Sequence, residues 1–370
     1  MRILHLIATG QRRGAEVFAS DLIAALDAPD LDQRVAVLHG DPPWAVEFGA
    51  PVTALRARRG PLDPRAVLLL RRLLRGWRPD LVTAHGGEPL KYAALAGVGG
   101  SAPPIVYRRI GSVSWLSSGA RRALYGRLVR RADRVVTVAG SVRDETVGAF
   151  GLDPARVVTI PNGADPRRVA PRHGRAAARA ALGVGPDVVA VLSLGALTWE
   201  KDPLGHLEVT APLLRRQPQV VHLFAGDGPL RAELEAAAAN DGLGARVLVL
   251  GSRDDVGDLL AASDLLLFAS RTEGMPASLI EAGMAGLPVA GTALPGVPEV
   301  VEHGTTGLLV PPGDRDNLRG AVARLLADRS LRAAMGDAAR DRCLARHGID
   351  PIAAAYRRVF EEVAAACPVS

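Results

Sequence analysis

Several features that other proteins use for recognition or stability are scarce in this chain of 370 residues. Its two cysteines, Cys343 and Cys367, match neither a metal-ligand spacing nor a disulfide framework. Aromatic residues make up 4% of the chain, too few to predict a stacking platform for single-stranded nucleic acid. No stretch approaches the roughly 20 apolar residues of a membrane span, and the apolar run after Met1 is too short for a signal peptide. We therefore expect a cytoplasmic protein that binds no nucleic acid.

Lysine is also scarce, although basic residues are not. Lysine and arginine total 45 against 39 acidic residues, for a net charge of +6, yet Lys91 and Lys201 are the two lysines of the chain. The basic residues are spread along the sequence, which favours anionic small molecules or an anionic membrane surface as partners. Lys201 follows a predicted strand in "LSLGALTWEKD". There its ammonium group either neutralises a bound diphosphate or is simply solvated.

The pattern of apolar segments predicts two domains. The chain is longer than most chains that fold around a single hydrophobic core. Short apolar runs also alternate with amphipathic stretches in both halves. The alternation stops over residues 162–187, rich in Pro, Gly and Arg, which we interpret as a linker with a short helix. The alternation predicts an α/β fold with parallel sheets. We expect its ligands to bind at the carboxyl ends of the strands, in a cleft between the domains.

A glycine-bearing turn follows the first predicted strand. "ATGQRRGAE" places Gly10 and Gly14 ahead of a helix predicted from about Ala15 to Leu26, where free N–H groups favour an anion. The turn is not a G-x-G-x-x-G motif, so a dinucleotide dehydrogenase is disfavoured. The alternative is an ordinary turn of an α/β domain.

Two glutamates bracket the turn and helix start in "EGMPASLIE". Glu281, on the helix, can accept two hydrogen bonds from a vicinal diol such as ribose, while Glu273 can reach hydroxyl groups further along the same ligand. The backbone of Gly274–Leu279 can donate to a phosphate between them. A nucleoside diphosphate sugar satisfies all three, whereas the alternative is acidic capping of a helix. We likewise interpret the cluster Asp254, Asp255 and Asp258 as a capped helix start rather than a metal site.

Two predicted helices of the first half carry arginine clusters. A solvated helix face explains them, and attraction to an anionic leaflet is the functional alternative. The clusters are Arg71, Arg72, Arg75 and Arg78, and Arg121, Arg122, Arg127, Arg130 and Arg131.

The ordered set of motifs resembles the family 4 glycosyltransferases of the GT-B superfamily. "EGMPASLIE" is similar to their E-x(7)-E motif, and "RRGAE", "RPDLVTAHG", "VVTIPNGAD", "GALTWEKD" and "AGDGPL" occur in the family's order. The resemblance implies two Rossmann-like domains with parallel sheets facing a central cleft, and transfer of a sugar with retention and without a metal or other cofactor. It also implies that the last helix returns to the first domain. The implied domains are residues 1–170 (acceptor), 171–348 (nucleotide sugar) and 349–370 (returning helix).

The resemblance also assigns roles to residues. Glu281 would hold the ribose hydroxyls, Glu273 the donor sugar, and Lys201 the diphosphate. The backbone at Ser252–Arg253 would meet the base, and Gly14 would leave room for the phosphates. The implied donor-binding residues are Gly14, Gly195, Lys201, Gly226, Ser252, Arg253, Glu273, Gly274, Met275, Pro276, Ala277, Ser278, Leu279 and Glu281.

Two departures from the family pattern concern charged groups. Ala196 stands where the family usually has an arginine for the diphosphate, so another cation must act with Lys201, or donor binding is weaker; the candidates are Arg253, Arg12 and Arg13. The usual histidine after the fourth strand is replaced by Arg108, Arg109, Ile110 and Gly111. His85, at the end of "DLVTAHGG", is the nearest alternative, and Arg108 or Arg109 could meet an anionic acceptor or the donor phosphate. The predicted catalytic residues are Glu273, Lys201, His85 and Arg109.

The predicted function is therefore a retaining glycosyltransferase. Its donor would be a nucleotide sugar, most simply a UDP-sugar, and its acceptor a glycan or a lipid-linked molecule. The reaction would belong to bacterial surface polysaccharide or glycolipid synthesis. The protein would contact an anionic membrane peripherally. The alternatives are a nucleotide-sugar epimerase and a non-catalytic partner of another transferase.

Overall fold

The computed structural model describes residues 1–98, 102–111 and 119–366. The chain divides into two compact units, one formed by Met1–Asn162 with the chain from Ile349 onward, the other by Gly163–Gly348. The elements of the first unit before the crossover are β1 (Arg2–Thr9), α1 (Gly14–Ala25), β2 (Asp32–His39), β3 (Val52–Ala54), α2 (Pro64–Trp77), β4 (Leu81–His85), α3 (Gly87–Ala96), β5 (Ile105–Arg109), α4 (Gly119–Val129), β6 (Arg134–Thr137), α5 (Gly140–Phe150), a 3₁₀ turn (Pro154–Arg156) and β7 (Val157–Thr159).

The second unit contains the next nine helices and six strands described. They are α6 (Pro166–Val169), α7 (Arg175–Ala181), β8 (Val189–Leu194), α8 (Pro203–Arg216), β9 (Val220–Ala225), α9 (Arg231–Asn240), β10 (Val247–Gly251), α10 (Val256–Ala262), β11 (Leu265–Phe268), α11 (Ala277–Met284), β12 (Val289–Thr292), α12 (Val297–Val300), β13 (Gly307–Val310), α13 (Arg315–Ala327) and α14 (Arg329–His347). The final helix, α15 (Ile349–Ala366), belongs to the first unit.

The first unit is built on a parallel sheet of seven strands in the order β3-β2-β1-β4-β5-β6-β7. Its central strands β1, β4 and β5 are buried on both faces, which explains their near-continuous apolar sequences. The direction of strand order reverses between β1 and β4, and such a switch point is where ligands of open α/β sheets bind. One face is covered by α15, whose Tyr356 and Phe360 are fully buried against Ile3 and Phe18.

The second unit repeats this plan with six parallel strands in the order β10-β9-β8-β11-β12-β13. Here the switch point lies between β8 and β11, so the loops that follow these two strands meet at one edge. These loops carry Lys201 and Glu273. The prediction of two Rossmann-like parallel-sheet domains is confirmed.

The segment predicted to be a linker is part of the second unit. Arg179 on α7 is buried and donates to the carbonyl oxygen of Ala262 at 2.8 Å, and Arg175 donates to Asp264 at 2.7 Å. Residues 163–170, which the resemblance implies belong to the first domain, group with the second unit. The short edge strand β3 was also missed, because Val52–Ala54 is too short to show a period.

Three further observations concern helices and single residues of the described chain. None of its helices is long and apolar enough to cross a membrane. Arg71, predicted to lie on a solvated face of α2, instead donates to the carbonyl oxygens of Leu95, Ala96 and Val98 at 2.7–3.0 Å and so closes the end of α3. Cys343 is buried, and Cys367 lies outside the described residues.

Candidate active site

Glycine-bearing turns follow β8 and β9 at the carboxyl edge of the second sheet. Gly195 follows β8 with φ +153°, and Gly226 follows β9 with φ +151°. A Cβ atom on Gly226 would lie 1.9 Å from the carbonyl oxygen of Gly195, and the Gly226 N–H donates to Gly251 at 2.8 Å. Only glycine allows this approach of one backbone to another. The structure thus brings together Gly195 and Gly226, two of the predicted donor-binding residues.

Lys201 and Glu273 form an ion pair at this edge. Lys201 lies in the loop after β8 and Glu273 in the loop after β11, and their side chains are 34% and 13% exposed. The sequence analysis gave them separate roles, and their direct contact was not predicted. Lys201 also lines a pocket together with Gly195, Ser193, Phe224, Phe268 and Ser278. The pocket thus lies at strand ends beside the Lys201–Glu273 pair, although Glu273 itself does not line it.

Asp202 fixes the loop that carries Lys201. Its backbone is left-handed, with φ +50°, which is uncommon for a residue with a side chain. Its carboxylate accepts from Arg271 at 2.9 Å, from Arg315 at 3.0 Å and from the backbone N–H of Gly205 at 3.3 Å. The loop of Lys201 is thereby tied to the loop that leads to Glu273. Sequence reasoning missed Asp202, because its neighbours are distant in the chain.

A buried polar network supports the pocket from below. The backbone N–H of Ala269 donates to Nε2 of His206 at 2.9 Å, so Nδ1 carries the proton and donates to Ser193 at 2.6 Å. Ser193 also bonds Nε2 of His222 at 2.8 Å, and Thr210 bonds Nδ1 of that ring at 2.8 Å. Burial lowers the pKa of His206 to about 4 and that of His222 well below its usual value. Both rings are therefore neutral, and they lock β8, β9, α8 and the end of β11 together.

Glu281 is paired with Arg168. Arg168 Nη1 lies 2.9 Å from Glu281 Oε1, and the glutamate is 7% exposed. The capping alternative is wrong for this helix: α11 begins at Ala277, its first turn holds no acidic residue, and no side chain caps it. Glu281 lies one turn into the helix. The predicted backbone stretch Gly274–Leu279 spans the loop and the first residues of α11.

The loop after β10 holds Ser252 and Arg253. Ser252 is exposed, whereas Arg253 bonds both carboxylate oxygens of Asp255 at 2.7 and 2.5 Å. Those hydrogen bonds hold the pKa of Asp255 below its usual range. Asp255 occupies the N-cap position of α10 without capping it, and Asp258 bonds His173 instead. The predicted acidic cap is therefore wrong in detail. Arg253 is already paired, which weakens it as a substitute for the arginine that Ala196 replaces.

No three His, Cys, Asp or Glu side chains among the described residues are grouped as a metal-ligand set. That the protein needs no metal stays a prediction.

In the first unit the predicted residues lie at the other switch point. Gly14 is the first residue of α1, and Glu16 in its first turn accepts from Thr9 at 3.0 Å. Burial raises the pKa of Glu16. His85, at the end of β4, is 3% exposed and contacts His5. Gly14 and Glu16 thus lie at the start of α1 near the end of β1, and His85 lies at the end of β4.

Arg108 and Arg109 end β5 and are buried on opposite faces of the sheet. Arg108 lies over the ring of Phe18, 3.9 Å from its centroid, and donates to Asn162 at 2.7 Å. Arg109 lies 5.4 Å from the ring centroid of Phe150 and is 2% exposed. Its assignment to an anionic ligand stays a prediction.

Comparisons with known proteins agree with this architecture. The family model "Glycosyl transferases group 1" matches residues 175–342, and "Glycosyltransferase Family 4" matches residues 12–168. The 2-deoxystreptamine N-acetyl-D-glucosaminyltransferase of Streptomyces fradiae is 31% identical over 76% of this chain and 70% of its own length. The UDP-Gal:alpha-D-GlcNAc-diphosphoundecaprenol alpha-1,3-galactosyltransferase of Escherichia coli is 26% identical over 73% of this chain and 72% of its own.

Other curated relatives are longer than the region that matches. A D-inositol 3-phosphate glycosyltransferase of Streptomyces bingchenggensis is 32% identical over 77% of this chain, which spans 62% of that relative. Among solved structures, Anabaena HepE in complex with UDP is 25% identical over 98% of this chain and 100% of its own, with a TM-score of 0.81. Two family models match most of the chain, one relative is 31% identical over most of both chains, and the fold is shared. The chain belongs to the family 4 glycosyltransferases and has their GT-B fold.

Proposed function

We propose that the protein is a retaining glycosyltransferase that transfers a sugar from a UDP-sugar, without a metal, to a glycan or lipid-linked acceptor. The observation that carries the proposal is the Lys201–Glu273 pair beside the pocket at the β8/β11 switch point. HepE, similar to this chain along its whole length, was crystallised with UDP, and the galactosyltransferase relative is named for a UDP-sugar and a diphosphoundecaprenol acceptor.

The charges of the pocket suit a diphosphate leaving group. When the bond from sugar to diphosphate breaks, negative charge develops on the phosphate oxygens, and a fixed cation stabilises that charge. Lys201 would donate to the diphosphate, and Glu273, released from its present partner, would accept from hydroxyl groups of the sugar. Glu281 would accept from the ribose diol while Arg168 holds it in place.

The test is a binding and turnover assay on the full chain in the presence of EDTA. Isothermal titration with UDP, GDP and ADP identifies the base, and release of nucleotide from the matching sugar nucleotides measures turnover. We expect UDP to bind and a UDP-sugar to turn over. The ¹H NMR spectrum of the product should show the same anomeric configuration as the sugar of the donor. Interconversion of the sugar nucleotide without release of UDP would mean an epimerase. Binding without turnover across a panel of polyol and lipid-linked acceptors would mean a non-catalytic partner.

A lipid-linked acceptor is supported by a mixed apolar and basic face on α2. Leu68 and Leu69 are 54% and 42% exposed, and Arg65, Arg72 and Arg75 are exposed one or two turns away on the same helix. Exposed leucines flanked by arginines suit an anionic lipid surface. We expect the protein to float with phosphatidylglycerol vesicles and not with phosphatidylcholine vesicles.

A double variant on α2 tests this expectation, and a single variant in the second unit serves as its control. Leu68→Ser with Leu69→Ser should abolish flotation, while Leu344→Ser, also exposed at 42% but in the second unit, should leave it unchanged. Equal flotation of all three proteins would remove α2 from the proposal.

A further inference from the structure

A cavity of about 590 Å³ lies at the amino ends of strands of the second sheet. Ser263 and Asp264, which line it, come directly before β11, and Pro288 comes directly before β12. The Lys201–Glu273 pair lies at the opposite, carboxyl ends of these parallel strands. The described residues that line the cavity and those that line the pocket of Lys201 have no member in common. This cavity, which we call the rear cavity, is therefore separate from the candidate active site.

The lining of the rear cavity carries an excess of positive charge. Asp264 is the one acidic side chain among the described residues that line it, and it is already neutralised. Arg175 donates to this carboxylate at 2.7 Å, and Arg179 lies 3.4 Å from it. The other arginines of the lining form no ion pair with a carboxylate in the described chain, which leaves three uncompensated charges. They are Arg329, Arg332 and Arg340.

Backbone carbonyl groups hold two of these guanidinium groups in place. Nη1 of Arg332 donates to the carbonyl oxygens of Leu325 and Leu326 at 2.6 and 2.9 Å. Nη2 of Arg340 donates to the carbonyl oxygen of Ala285 at 3.1 Å. A carbonyl oxygen carries no net charge, so these bonds orient both cations without neutralising them. Because the two side chains are already ordered, an anion that binds them loses less conformational entropy.

Part of the lining is apolar. Met284, Leu287 and Leu344 line the rear cavity, and Leu344 is 42% exposed. An anion alone would leave this apolar surface in water, whereas a molecule with an apolar part beside its anionic group would cover it. The volume is that of a site for a small molecule.

Three uncompensated arginines favour a phosphate group over a carboxylate. A phosphate monoester carries about 1.5 to 2 negative charges at pH 7 and three strong acceptor oxygens, and arginine binds it through two parallel hydrogen bonds. We propose that the rear cavity binds a soluble organic phosphate. Its phosphate group lies among Arg329, Arg332 and Arg340, and its apolar part lies against Met284 and Leu287. This site does not depend on the proposed function.

The probe is phenyl phosphate, titrated calorimetrically into the full chain in the presence of saturating UDP, which keeps the donor site filled. We expect phenyl phosphate to bind at one site, and benzoate, the same ring with a carboxylate, to bind at least about tenfold more weakly. Inorganic phosphate should also bind more weakly, because it has no apolar part. Absence of phenyl phosphate binding would overturn the site, and equal binding of benzoate would overturn the assignment to phosphate.

Arg329→Ala is the main variant, because the Arg329 side chain is exposed and has no partner in the described chain. It should weaken phenyl phosphate binding about tenfold, and Arg329→Lys, which keeps the charge, should lose less. Arg346→Ala is the matched control, since Arg346 is exposed on the same helix but does not line the rear cavity. Urea unfolding midpoints check that both variants fold. Equal affinities in Arg329→Ala and Arg346→Ala would overturn the proposal.

Two further measurements exclude other places for the anion. Lys201→Met should bind phenyl phosphate as the wild type does, and a loss of binding there with none in Arg329→Ala would assign the anion to the donor site instead. Arg329→Ala should float with phosphatidylglycerol vesicles as the wild type does, and a loss of flotation would replace the soluble ligand by a lipid headgroup. If UDP does not bind to the wild type, the proposed function fails. Titration of phenyl phosphate into Lys201→Met without UDP then decides whether the rear cavity binds it.

Discussion

The guanidinium group of Arg168 lies 2.9 Å from the carboxylate of Glu281 and leaves little of either side chain exposed. Arg168 belongs to α6, within the segment that the sequence suggested was a linker. The second glutamate of the E-x(7)-E motif is thus held by a residue far from it in the chain. A buried carboxylate that loses its cationic partner is destabilised and misoriented.

We expect Arg168→Ala to weaken UDP binding about tenfold, equivalent to about 1.4 kcal/mol. The loss should be much smaller for 2′,3′-dideoxy-UDP, because Glu281 would contact the ribose hydroxyls. Calorimetric titration with the two nucleotides measures the difference. Arg167→Ala is the control on the same helix, since the Arg167 side chain is 83% exposed and paired with Asp165. Parallel losses for both nucleotides would mean that Arg168 supports the fold and not the diol contact.

Lys201→Met should lower affinity for UDP at least tenfold and leave uridine binding unchanged. The ammonium group would contact only the phosphates, and charge-assisted hydrogen bonds to phosphate are the strong ones. Comparing the dissociation constants of UDP and uridine tests this directly. Lys91→Met is the matched control, because the chain's other lysine donates to Pro61 in the first unit. Unaltered UDP affinity in Lys201→Met would remove Lys201 from the donor site.

Gly226→Ala should destabilise the second unit by several kcal/mol or displace the loop after β8. The added methyl group would meet the carbonyl oxygen of Gly195 at 1.9 Å, and the φ of +151° adds strain. Gly320→Ala, in the interior of α13 with no atom within 4 Å of the new Cβ, should stabilise the protein by about 0.5–1 kcal/mol. Urea unfolding curves of the two variants measure both effects. Similar midpoints would show that the turn tolerates a side chain.

The free energy of unfolding should fall as the pH drops from about 6.5 toward 5. His5 and His206 have folded-state pKa values of about 4, and those of His85 and His222 are well below the usual value of 6.5. In this window the unfolded chain binds protons that the folded chain does not, so acid favours unfolding by about 1.4 kcal/mol per pH unit for each such histidine. Urea titrations at pH 7.5, 6.5 and 5.5 measure the slope. His222→Gln should reduce that slope by the share of one histidine, and an unchanged slope would contradict the assignment.

The sequence predicted the parts of the site that depend on local order. Strand, turn and helix alternate visibly, so Lys201 and Glu273 could be placed in loops after strands, and Glu281 on the following helix, before their surroundings were known. Their partners could not be predicted in the same way. Arg168 and Glu281 meet because α6 packs against α11 within the second unit, and Lys201 meets Glu273 because β8 and β11 are neighbours at the switch point. Periodicity reveals a strand but not its neighbour.

Gln33, His5 and His85 show the same limit more sharply. Gln33 lies between Asp32 and Arg34 in β2, His5 is a polar position within β1, and His85 ends β4. Their side chains bond one another because the register of the three strands brings them to one face of the sheet. A shift of one residue in any strand would turn that side chain to the other face.

The position of α15 sets an order of events during synthesis. The second unit, Gly163–Gly348, has all its residues before Ile349 is translated, so it can close its core while the chain is still growing. The first unit begins earlier but finishes later, because Ile3 and Phe18 wait for Tyr356 and Phe360 to cover them. Until then the apolar surface that includes Ile3 and Phe18 stays exposed in the nascent chain, where chaperones can bind it. Completion of the first unit therefore has to wait for the translation of α15.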